Sequence, residues 1–249
     1  MAEAVVLIPA RLESTRFPGK VLADRTGLPL VGHVCLQARK ARCAQRVVVA
    51  VDDERVARAV EPYADEVVMT RRDHPNGASR CAEAAELLGL ADQTIVLNVQ
   101  ADEPEIDPAA LDALAETMSA EEDLPMATLA SPYPKGADPA DPNIVKVVCD
   151  RRSCALYFSR SPIPHGAGEQ LRKHVGVYAC RCWLLRRYAA WAPTPLERAE
   201  RLEQLRALEH GCAIRVVEVE APHAGVDTPQ QYEAFVRRWT AAKRGRDSG

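Results

Sequence analysis

One stretch decides the fold: Ile8-Pro9-Ala10-Arg11-Leu12-Glu13-Ser14-Thr15-Arg16-Phe17-Pro18-Gly19-Lys20, which follows directly on the apolar run that begins at Val5. A short apolar run with β-branched members is typical of a buried parallel strand. Open α/β sheets bind their ligands at the carboxyl ends of such strands. We therefore predict that the residues after Ile8 form a ligand-binding loop at that edge of a sheet.

The loop combines positive charge with hydroxyl groups and a flexible residue: Arg11, Arg16, Lys20, Ser14, Thr15 and Gly19. Guanidinium and ammonium groups bind phosphate oxygens, and glycine lets the backbone approach a ligand closely. The loop has neither the GxxxxGK(S/T) nor the GxGxxG pattern, which excludes the two commonest phosphate-binding loops. We predict that it binds a triphosphate. A solvated turn with incidental basic residues is the alternative.

Composition limits the class of protein. With 249 residues, of which 47% are hydrophobic and 27% charged, the chain can form one large α/β domain, with or without a smaller lobe. Its net charge of −3 argues against nucleic acid as a partner. No stretch approaches the roughly eighteen apolar residues of a membrane span, and no basic region precedes the first apolar run. We expect a cytoplasmic protein with no signal peptide and no membrane partner.

The eight cysteines are scattered along the chain without a CxxC pair. A zinc site would need paired short spacings, and a disulfide framework is typical of small secreted chains. The cysteines are therefore expected to be reduced and packed as small apolar residues.

Strand and helix patterns alternate along the first half of the chain. Apolar, β-branched runs at 46–51, 67–69 and 94–99 alternate with helical spacings, and the connections are short. This order predicts a mainly parallel sheet with right-handed crossovers, flanked by helices.

An acidic segment, Gln100-Ala101-Asp102-Glu103-Pro104, follows the run at 94–99. Its carboxylates should lie at the same sheet edge as the basic loop, where they could hold a divalent metal against phosphate oxygens. The alternative is that Asp102 only stabilises a turn.

A helix is predicted to begin close to Ser79 and Arg80, because Cys81, Ala84 and Leu88 follow with helical spacing. The amino terminus of a helix, with an arginine beside it, favours an anion. A helix start with a solvated arginine is the alternative.

The second half begins with a segment rich in proline, aspartate and glycine at 131–143, which indicates a departure into a second lobe. Runs at 144–149 and 155–159 predict a hairpin, and we assign a further strand at 173–179 to the same lobe. The chain is predicted to end with a strand at 214–219 and a helix that follows Thr228 and Pro229.

Several segments resemble the 3-deoxy-manno-octulosonate (Kdo) cytidylyltransferases. The opening loop is similar to their signature IPAR-x-x-STR-x-PGK, the acidic segment to NVQGDEP, and Gly225-Val226-Asp227-Thr228-Pro229 to GVDTPED. DPNIVKVV, ALYFSRSPIP, HVGVY and PLERAERLEQLR in the second half have the family's form. The resemblance implies a nucleotide-diphospho-sugar transferase (Rossmann-like) fold. It implies a nucleotide-binding half at 1–130, an acceptor-sugar and dimerisation lobe at 131–212, and a closing strand and helix at 213–249.

The resemblance also implies roles for individual residues. Arg11, Lys20, Asp102 and Asp227 would be catalytic, with the two aspartates as ligands of Mg²⁺. The implied nucleotide contacts are Arg11, Ser14, Arg16, Lys20, Ser79, Arg80 and Gln100. The implied contacts of the acceptor sugar are Arg160, His174, Tyr178, Glu203 and Gln204. The chain departs from the family pattern at Ala101, which replaces a glycine. It also departs at Gly77-Ala78-Ser79-Arg80, where the family usually has Gly-Thr-x-Arg, with x any residue.

Each acceptor residue also has a purely structural alternative. His174 and Tyr178 are four residues apart in a predicted strand, hence on one face, where buried aromatic residues are common. Glu203 and Gln204 lie on a predicted helical segment whose start, Thr194-Pro195-Leu196-Glu197, is a capping box, and most polar helix residues face water.

The function implied by the resemblance is activation of Kdo with CTP, which gives CMP-Kdo and pyrophosphate for lipopolysaccharide biosynthesis, in a homodimer. Two alternatives stay open from the sequence. The acceptor could be another acidic sugar, such as amino-Kdo or sialic acid, or the chain could be a nucleotide-binding regulator without turnover.

Overall fold

A computed structural model describes residues 3–166, 171–220 and 225–247. These residues form a mixed sheet with helices on both faces. The strands are β1 (Ala4–Ala10), β2 (Ala44–Val51), β3 (Glu66–Met69), β4 (Ile95–Asn98), β5 (Met126–Pro132), β6 (Lys146–Cys149), β7 (Ala155–Ser159), β8 (Arg172–Arg181) and β9 (Ile214–Glu218). The helices are α1 (Leu30–Ala38), α2 (Glu54–Val60), α3 (Gly77–Leu87), α4 (Pro108–Ala120), α5 (Cys182–Ala190), α6 (Pro195–Glu200), α7 (Gln204–Glu209) and α8 (Pro229–Asp247).

The main sheet has the strand order β3-β2-β1-β4-β8-β5-β9. Neighbours among β3, β2, β1 and β4 are parallel, and β9 is parallel to β5. The predicted mainly parallel sheet flanked by helices is therefore confirmed, and every strand predicted in the first half is present. Because the strands β1, β2 and β4 run in the same direction, their carboxyl ends meet at one edge.

The core lies on both faces of β1. Ala4, Val6 and Ile8 pack with helices α1, α2 and α4, whereas Val5 and Leu7 pack with α3 and α5. This alternation follows from the two-residue period of a strand. It explains why the run is apolar without interruption, since helices cover both faces of the sheet.

The strand predicted at 173–179 and assigned to the second lobe also belongs to the main sheet, which the sequence did not predict. The strand is β8, and it lies in the main sheet, antiparallel to both β4 and β5. Its first residues also reach the hairpin of β6 and β7, where Lys173 pairs with Lys146. The ten-residue length of β8 allows it to belong to both parts.

Within the described residues, no helix is both long and apolar enough to cross a membrane.

The amino-terminal half of helix α4 is attached to the start of β2 by a buried carboxylate. Asp112, only 7% exposed, accepts hydrogen bonds from the backbone N–H of Cys43 at 2.8 Å and from Nε of Arg42 at 3.1 Å. Because Cys43 precedes the first residue of β2, this contact fixes α4 to the amino-terminal end of the sheet, away from the edge that carries the basic loop.

We expect Asp112→Ala to lower the free energy of unfolding by about 1–3 kcal/mol, because a buried backbone N–H loses its acceptor. Urea unfolding measures the change. Glu122→Ala, an exposed position two residues beyond the same helix, is the control and should change the free energy by less than about 0.5 kcal/mol. Equal values for the two variants would contradict this role of Asp112.

Candidate functional site

The loop after β1 is held at the sheet edge by the neighbouring strand. The backbone N–H of Leu12 donates to Oδ1 of Asp52 at 3.0 Å, and Asp52 directly follows β2. Gly19 adopts the left-handed conformation with φ of 68°, which glycine reaches without strain. A short 3-10 helix, Lys20–Leu22, begins at the next residue and turns the lysine side chain back toward the edge.

Lys20 joins three segments of the chain through one ammonium group. Its Nζ lies 2.5 Å from Oδ2 of Asp102, 2.8 Å from Oδ1 of Asp227 and 3.2 Å from the carbonyl oxygen of Val226. The backbone N–H of Val226 in turn donates to the carbonyl oxygen of Asp102 at 2.7 Å. We call Lys20, Asp102 and Asp227 the ion-pair cluster. It brings together two carboxylates that are 125 positions apart in the sequence, a pairing that the resemblance implied.

The charges of the ion-pair cluster support one another. Burial lowers the pKa of Lys20, but the two aspartates outweigh burial and raise it above 10.5. Burial raises the pKa of Asp227, but Lys20 and Arg16 outweigh burial and lower it below 3.8. Arg16 lies 2.8 Å from the second oxygen of Asp227. Asp227 is thus held as an anion beside two cations.

The pKa of Glu103, next to Asp102 in the sequence, is shifted in the opposite direction to that of Asp227. Burial, with repulsion from Asp102 and Asp227, raises the pKa of Glu103 to about 8, so this group is mainly protonated at pH 7. Its side chain leaves no room for a Cβ at Gly225, which would lie 2.8 Å from Oε1. A side chain at the position two residues before Asp227 would therefore displace the Glu103 carboxyl group.

The ion-pair cluster forms part of the wall of a cavity of about 260 Å³. We call it the basic cavity because four cationic side chains line it: Arg11, Arg16, Lys20 and Arg80. Other predicted residues in its lining are Ser14, Gln100, Asp102, Glu203 and Asp227. The structure therefore brings together most of the residues that the sequence assigned to the nucleotide and the metal.

Arg80 and Ser79 both lie in the first turn of α3, as predicted, but their side chains have structural partners. Arg80 is 3% exposed and donates to Oδ2 of Asp52 at 2.9 Å and to Oγ1 of Thr70 at 2.7 Å. The hydroxyl of Ser79 donates to the carbonyl oxygen of Asn76 at 2.9 Å, and Ser79 is not part of the cavity lining. Arg80 thus forms a fixed part of the wall, and Ser79 faces elsewhere.

Sequence reasoning missed several residues around the basic cavity. Asp52 connects the opening loop with Arg80, and its position at the end of a parallel strand was the same signal that identified Asp102. Gly77 allows α3 to begin close to the loop, since a Cβ there would lie 3.0 Å from Cγ of Pro9. His74 and Asn76 line the cavity beside it. Asn76 is the N-cap of α3, and the preference for asparagine at that position was the available signal, whereas no local pattern distinguishes His74.

A second, smaller cavity of about 50 Å³ adjoins the first. We call it the apolar cavity, because Ala78, Met126, Cys180, Leu184 and Leu185 form much of its lining. Its polar lining residues are Asn98, Gln100, Tyr178, Tyr188, Glu203 and Gln204.

The polar side chains of the apolar cavity include an amide donor without a partner. The hydroxyl of Tyr178 donates to Oε1 of Gln204 at 3.2 Å. Nε2 of Gln204 is buried and has no hydrogen-bond partner among the described residues. A buried donor of this kind is uncommon in folded proteins and is available to a ligand.

Two predicted acceptor residues line neither cavity. The guanidinium of Arg160 donates to backbone carbonyls, at 2.8 Å to Glu200, 2.7 Å to Pro142 and 3.2 Å to Arg201. His174 is buried, its Nε2 lies 2.9 Å from Oγ1 of Thr128, and burial followed by the charge of Lys173 lowers its pKa to about 3. Both side chains therefore stabilise the lobe around β7 and β8 in this structure.

The donor set of the ion-pair cluster fits magnesium. Both carboxylates lie within hydrogen-bonding distance of one atom, Nζ of Lys20, so a single cation can contact both. Among the described residues, no group of three or more His, Cys, Asp or Glu side chains could hold a metal ion by itself. Magnesium is commonly held by one or two carboxylates together with substrate phosphates, and this arrangement matches the two aspartates beside a cationic loop.

Comparison with known proteins defines the class. Residues 5–216 match the family model described as Cytidylyltransferase. The chain belongs to the cytidylyltransferase family. It is 47% identical over 251 residues to the 3-deoxy-manno-octulosonate cytidylyltransferase of Acidovorax sp. (strain JS42), covering 93% of this chain and 95% of that protein. It is 47% identical over 245 residues to the protein of the same name from Methylococcus capsulatus, with the same coverage.

Solved structures agree with this assignment. The structure of CMP:2-keto-3-deoxy-manno-octonic acid synthetase complexed with CTP has a TM-score of 0.90 and 41% identity, and the match covers 96% of this chain and 99% of that one. A cytidylyltransferase from Leptospira borgpetersenii has a TM-score of 0.63 and 16% identity, covering 100% of this chain and 96% of that one, which shows a shared fold alone.

We expect Lys20→Met to lower the free energy of unfolding at pH 7 in EDTA by about 1–3 kcal/mol, because Asp102 and Asp227 lose their shared cation. The stabilisation from Asp227 is fully present above pH 3.8, the pKa of this side chain in the unfolded chain. It is lost as the pH falls through the lower pKa that Asp227 has in the folded protein. The stabilisation from Lys20 is lost only as the pH rises through the pKa of Lys20 in the folded protein, which lies above 10.5.

Denaturant unfolding at several pH values tests this expectation. The difference between wild type and Lys20→Met should shrink as the pH falls below about 3.8. Lys40→Met is the control, since Lys40 is exposed and its Nζ donates to the side chain of Gln37. A loss that is the same for both lysines, or independent of pH, would contradict the importance of the cluster.

Proposed function

We propose that this protein is a 3-deoxy-manno-octulosonate cytidylyltransferase, which transfers the cytidylyl group of CTP to Kdo and releases pyrophosphate. The observation that carries the proposal is the ion-pair cluster in the wall of a basic cavity at the carboxyl edge of the sheet. The identity of 47% to relatives with this name supports the choice of nucleotide and sugar. The product would serve lipopolysaccharide biosynthesis.

The triphosphate would bind along the opening loop. Arg11, Arg16 and Lys20 supply positive charge along one side of the basic cavity, and Ser14 supplies a hydroxyl. Arg80 would contribute its charge from a fixed position in the wall, and Gln100 would contribute an amide. Ser79 stays a prediction that the geometry does not support, because its hydroxyl is bonded to Asn76 outside the lining.

The reaction is an in-line displacement at the α-phosphorus by the anomeric hydroxyl of the sugar. Such a reaction requires positioning and charge neutralisation more than a covalent intermediate. Arg11, Arg16 and Lys20 would stabilise the negative charge that develops on the leaving pyrophosphate. Asp102 and Asp227 would hold Mg²⁺, which supplies charge neutralisation at the phosphate oxygens when it is bound.

The acceptor sugar would bind where the two cavities meet. Tyr178, Glu203 and Gln204 offer a hydroxyl, a carboxylate and an amide donor without a partner, which suit the hydroxyls of a sugar acid. Arg160 and His174 stay predictions as acceptor residues, since neither lines a cavity in this structure.

We also propose a homodimer in the cytoplasm. Leu156 on β7 is 63% exposed and Leu196 at the start of α6 is 39% exposed, both in the lobe at 131–212 that the resemblance assigns to dimerisation. All eight cysteines are free, which agrees with a reducing compartment.

Pyrophosphate release with each of the four nucleoside triphosphates, measured with and without Kdo, tests the proposed function. We expect release with CTP and Kdo together and little release when either is replaced or omitted. Release with another acidic sugar but not with Kdo would contradict the choice of acceptor. Tight CTP binding without release for any sugar acid would indicate a regulator.

The two aspartates provide a separate prediction. Asp102→Asn and Asp227→Asn should each reduce turnover by at least about 10²-fold, because each removes a charged ligand for the metal. Turnover with saturating Mg²⁺ and the melting temperature are measured together, so that loss of fold is recognised. Asp107→Asn is the matched control, since Asp107 is the exposed N-cap of α4 and asparagine caps equally well. Wild-type turnover in either active-site variant would contradict the metal assignment.

A further inference from the structure

Glu203 has a fixed backbone and a side chain that faces the cavities. It directly precedes α7, and its carbonyl oxygen accepts hydrogen bonds from the N–H of Arg206 at 3.1 Å and from the hydroxyl of Tyr188 at 3.2 Å. The carboxylate itself forms no hydrogen bond or ion pair with the described residues. Glu203 is an exposed residue, and protein atoms surround its carboxylate only on the sides that face away from solvent. The structure therefore positions this group without using it for folding.

Glu203 lies on the wall between the two cavities. Among the described residues, only Gln100 and Glu203 line both of them. Gln100 carries an amide that does not titrate, and its Nε2 donates to Oδ1 of Asn98 at 3.1 Å. Among the residues that the structure describes, Glu203 is thus the one ionisable side chain at the junction of the cavities. The ion-pair cluster cannot provide an equivalent group, because both of its carboxylates are bound to Lys20.

We propose that Glu203 is the general base of the reaction, an inference that rests on the proposed function. The proton of the sugar's anomeric hydroxyl moves to the Glu203 carboxylate as the hydroxyl oxygen forms its bond to the α-phosphorus. The bond between the α-phosphorus and the oxygen that bridges to the β-phosphorus breaks, and its electron pair leaves with pyrophosphate. Nothing is oxidised or reduced, and the proton passes from Glu203 to solvent.

The charges around Glu203 support this role. Burial raises its pKa to about 7, with Glu197 of α6 acting in the same direction, while Arg206 of α7 and Arg11 of the opening loop act against them. Arg206 forms a buried ion pair with Glu197 at 2.5 Å, so much of its charge is already compensated. The other titratable groups that face Glu203 are Tyr178 of β8, Tyr188 of α5 and Cys81 of α3. A base with a pKa close to the working pH transfers protons most effectively.

Single-turnover measurements across pH test the proposal, with saturating CTP, Mg²⁺ and Kdo, so that chemistry is followed rather than product release. We expect the wild-type rate to fall on the acid side with an apparent pKa near 7. Glu203→Gln should lower the rate by about 10²- to 10⁴-fold and abolish the acid limb. Glu203→Asp should keep an acid limb at a reduced rate, because it retains a carboxylate.

A residue that only binds the sugar would behave differently. If Glu203→Gln raises the KM for Kdo but keeps the single-turnover rate at saturation and its acid limb, the proposal is overturned. Glu209→Gln, at the other end of α7, is the control and should leave the pH profile unchanged. CTP affinity, measured by calorimetry, and the melting temperature should be unchanged in Glu203→Gln and Glu203→Asp.

The experiment also separates this proposal from the proposed function. If the wild-type protein releases no pyrophosphate from CTP and Kdo at any pH, the proposed function fails. If the wild type is active and Glu203→Gln retains the acid limb, only the role of Glu203 fails. Should Glu203→Gln fold poorly, Glu203→Asp alone decides, since a wild-type rate without an acid limb in that variant would overturn the proposal.

Discussion

The site depends on one ammonium group placed between two carboxylates. Lys20 follows the first strand, Asp102 follows the fourth, and Asp227 precedes the last helix, so the pairing is completed only when nearly the whole chain has folded. Two aspartates facing each other without a cation would repel, and the enclosed position makes that repulsion stronger than it would be in water. Lys20 therefore stabilises the fold and also keeps the two carboxylates together.

The position of β8 explains how donor and acceptor could meet. This strand enters the main sheet antiparallel to β4 and brings Tyr178 opposite Asn98, at the end of that strand. The apolar cavity forms around Tyr178, directly beside the basic cavity that the parallel strands create. A purely parallel sheet would have formed the basic cavity without this neighbour. Gln100 and Glu203, at the junction, are where an attacking hydroxyl and an α-phosphate would come together.

Local patterns predicted much of the fold and part of the site. The uninterrupted apolar runs identified the parallel strands, and the rule that ligands bind at the carboxyl edge placed Lys20 and Asp102 together. Asp227 follows no parallel strand directly, so only the resemblance placed it there. The neighbours of β8 could not be predicted, because strand pairing depends on contacts between residues distant in the sequence. The apolar residues at 173–179 would look the same in the main sheet and in the second lobe. Sequence placed Ser79 in the first helical turn but could not give the direction of its side chain. The burial of His174 likewise depends on Phe158 and Thr128, from two other strands.

The most direct test of the account is a crystal structure of the protein with CTP and Mn²⁺, with the metal located by its anomalous scattering. The account predicts one manganese peak in contact with carboxylate oxygens of both Asp102 and Asp227, and the triphosphate along Arg11, Arg16 and Lys20. A manganese peak that contacts neither aspartate, or a triphosphate bound away from the opening loop, would contradict it.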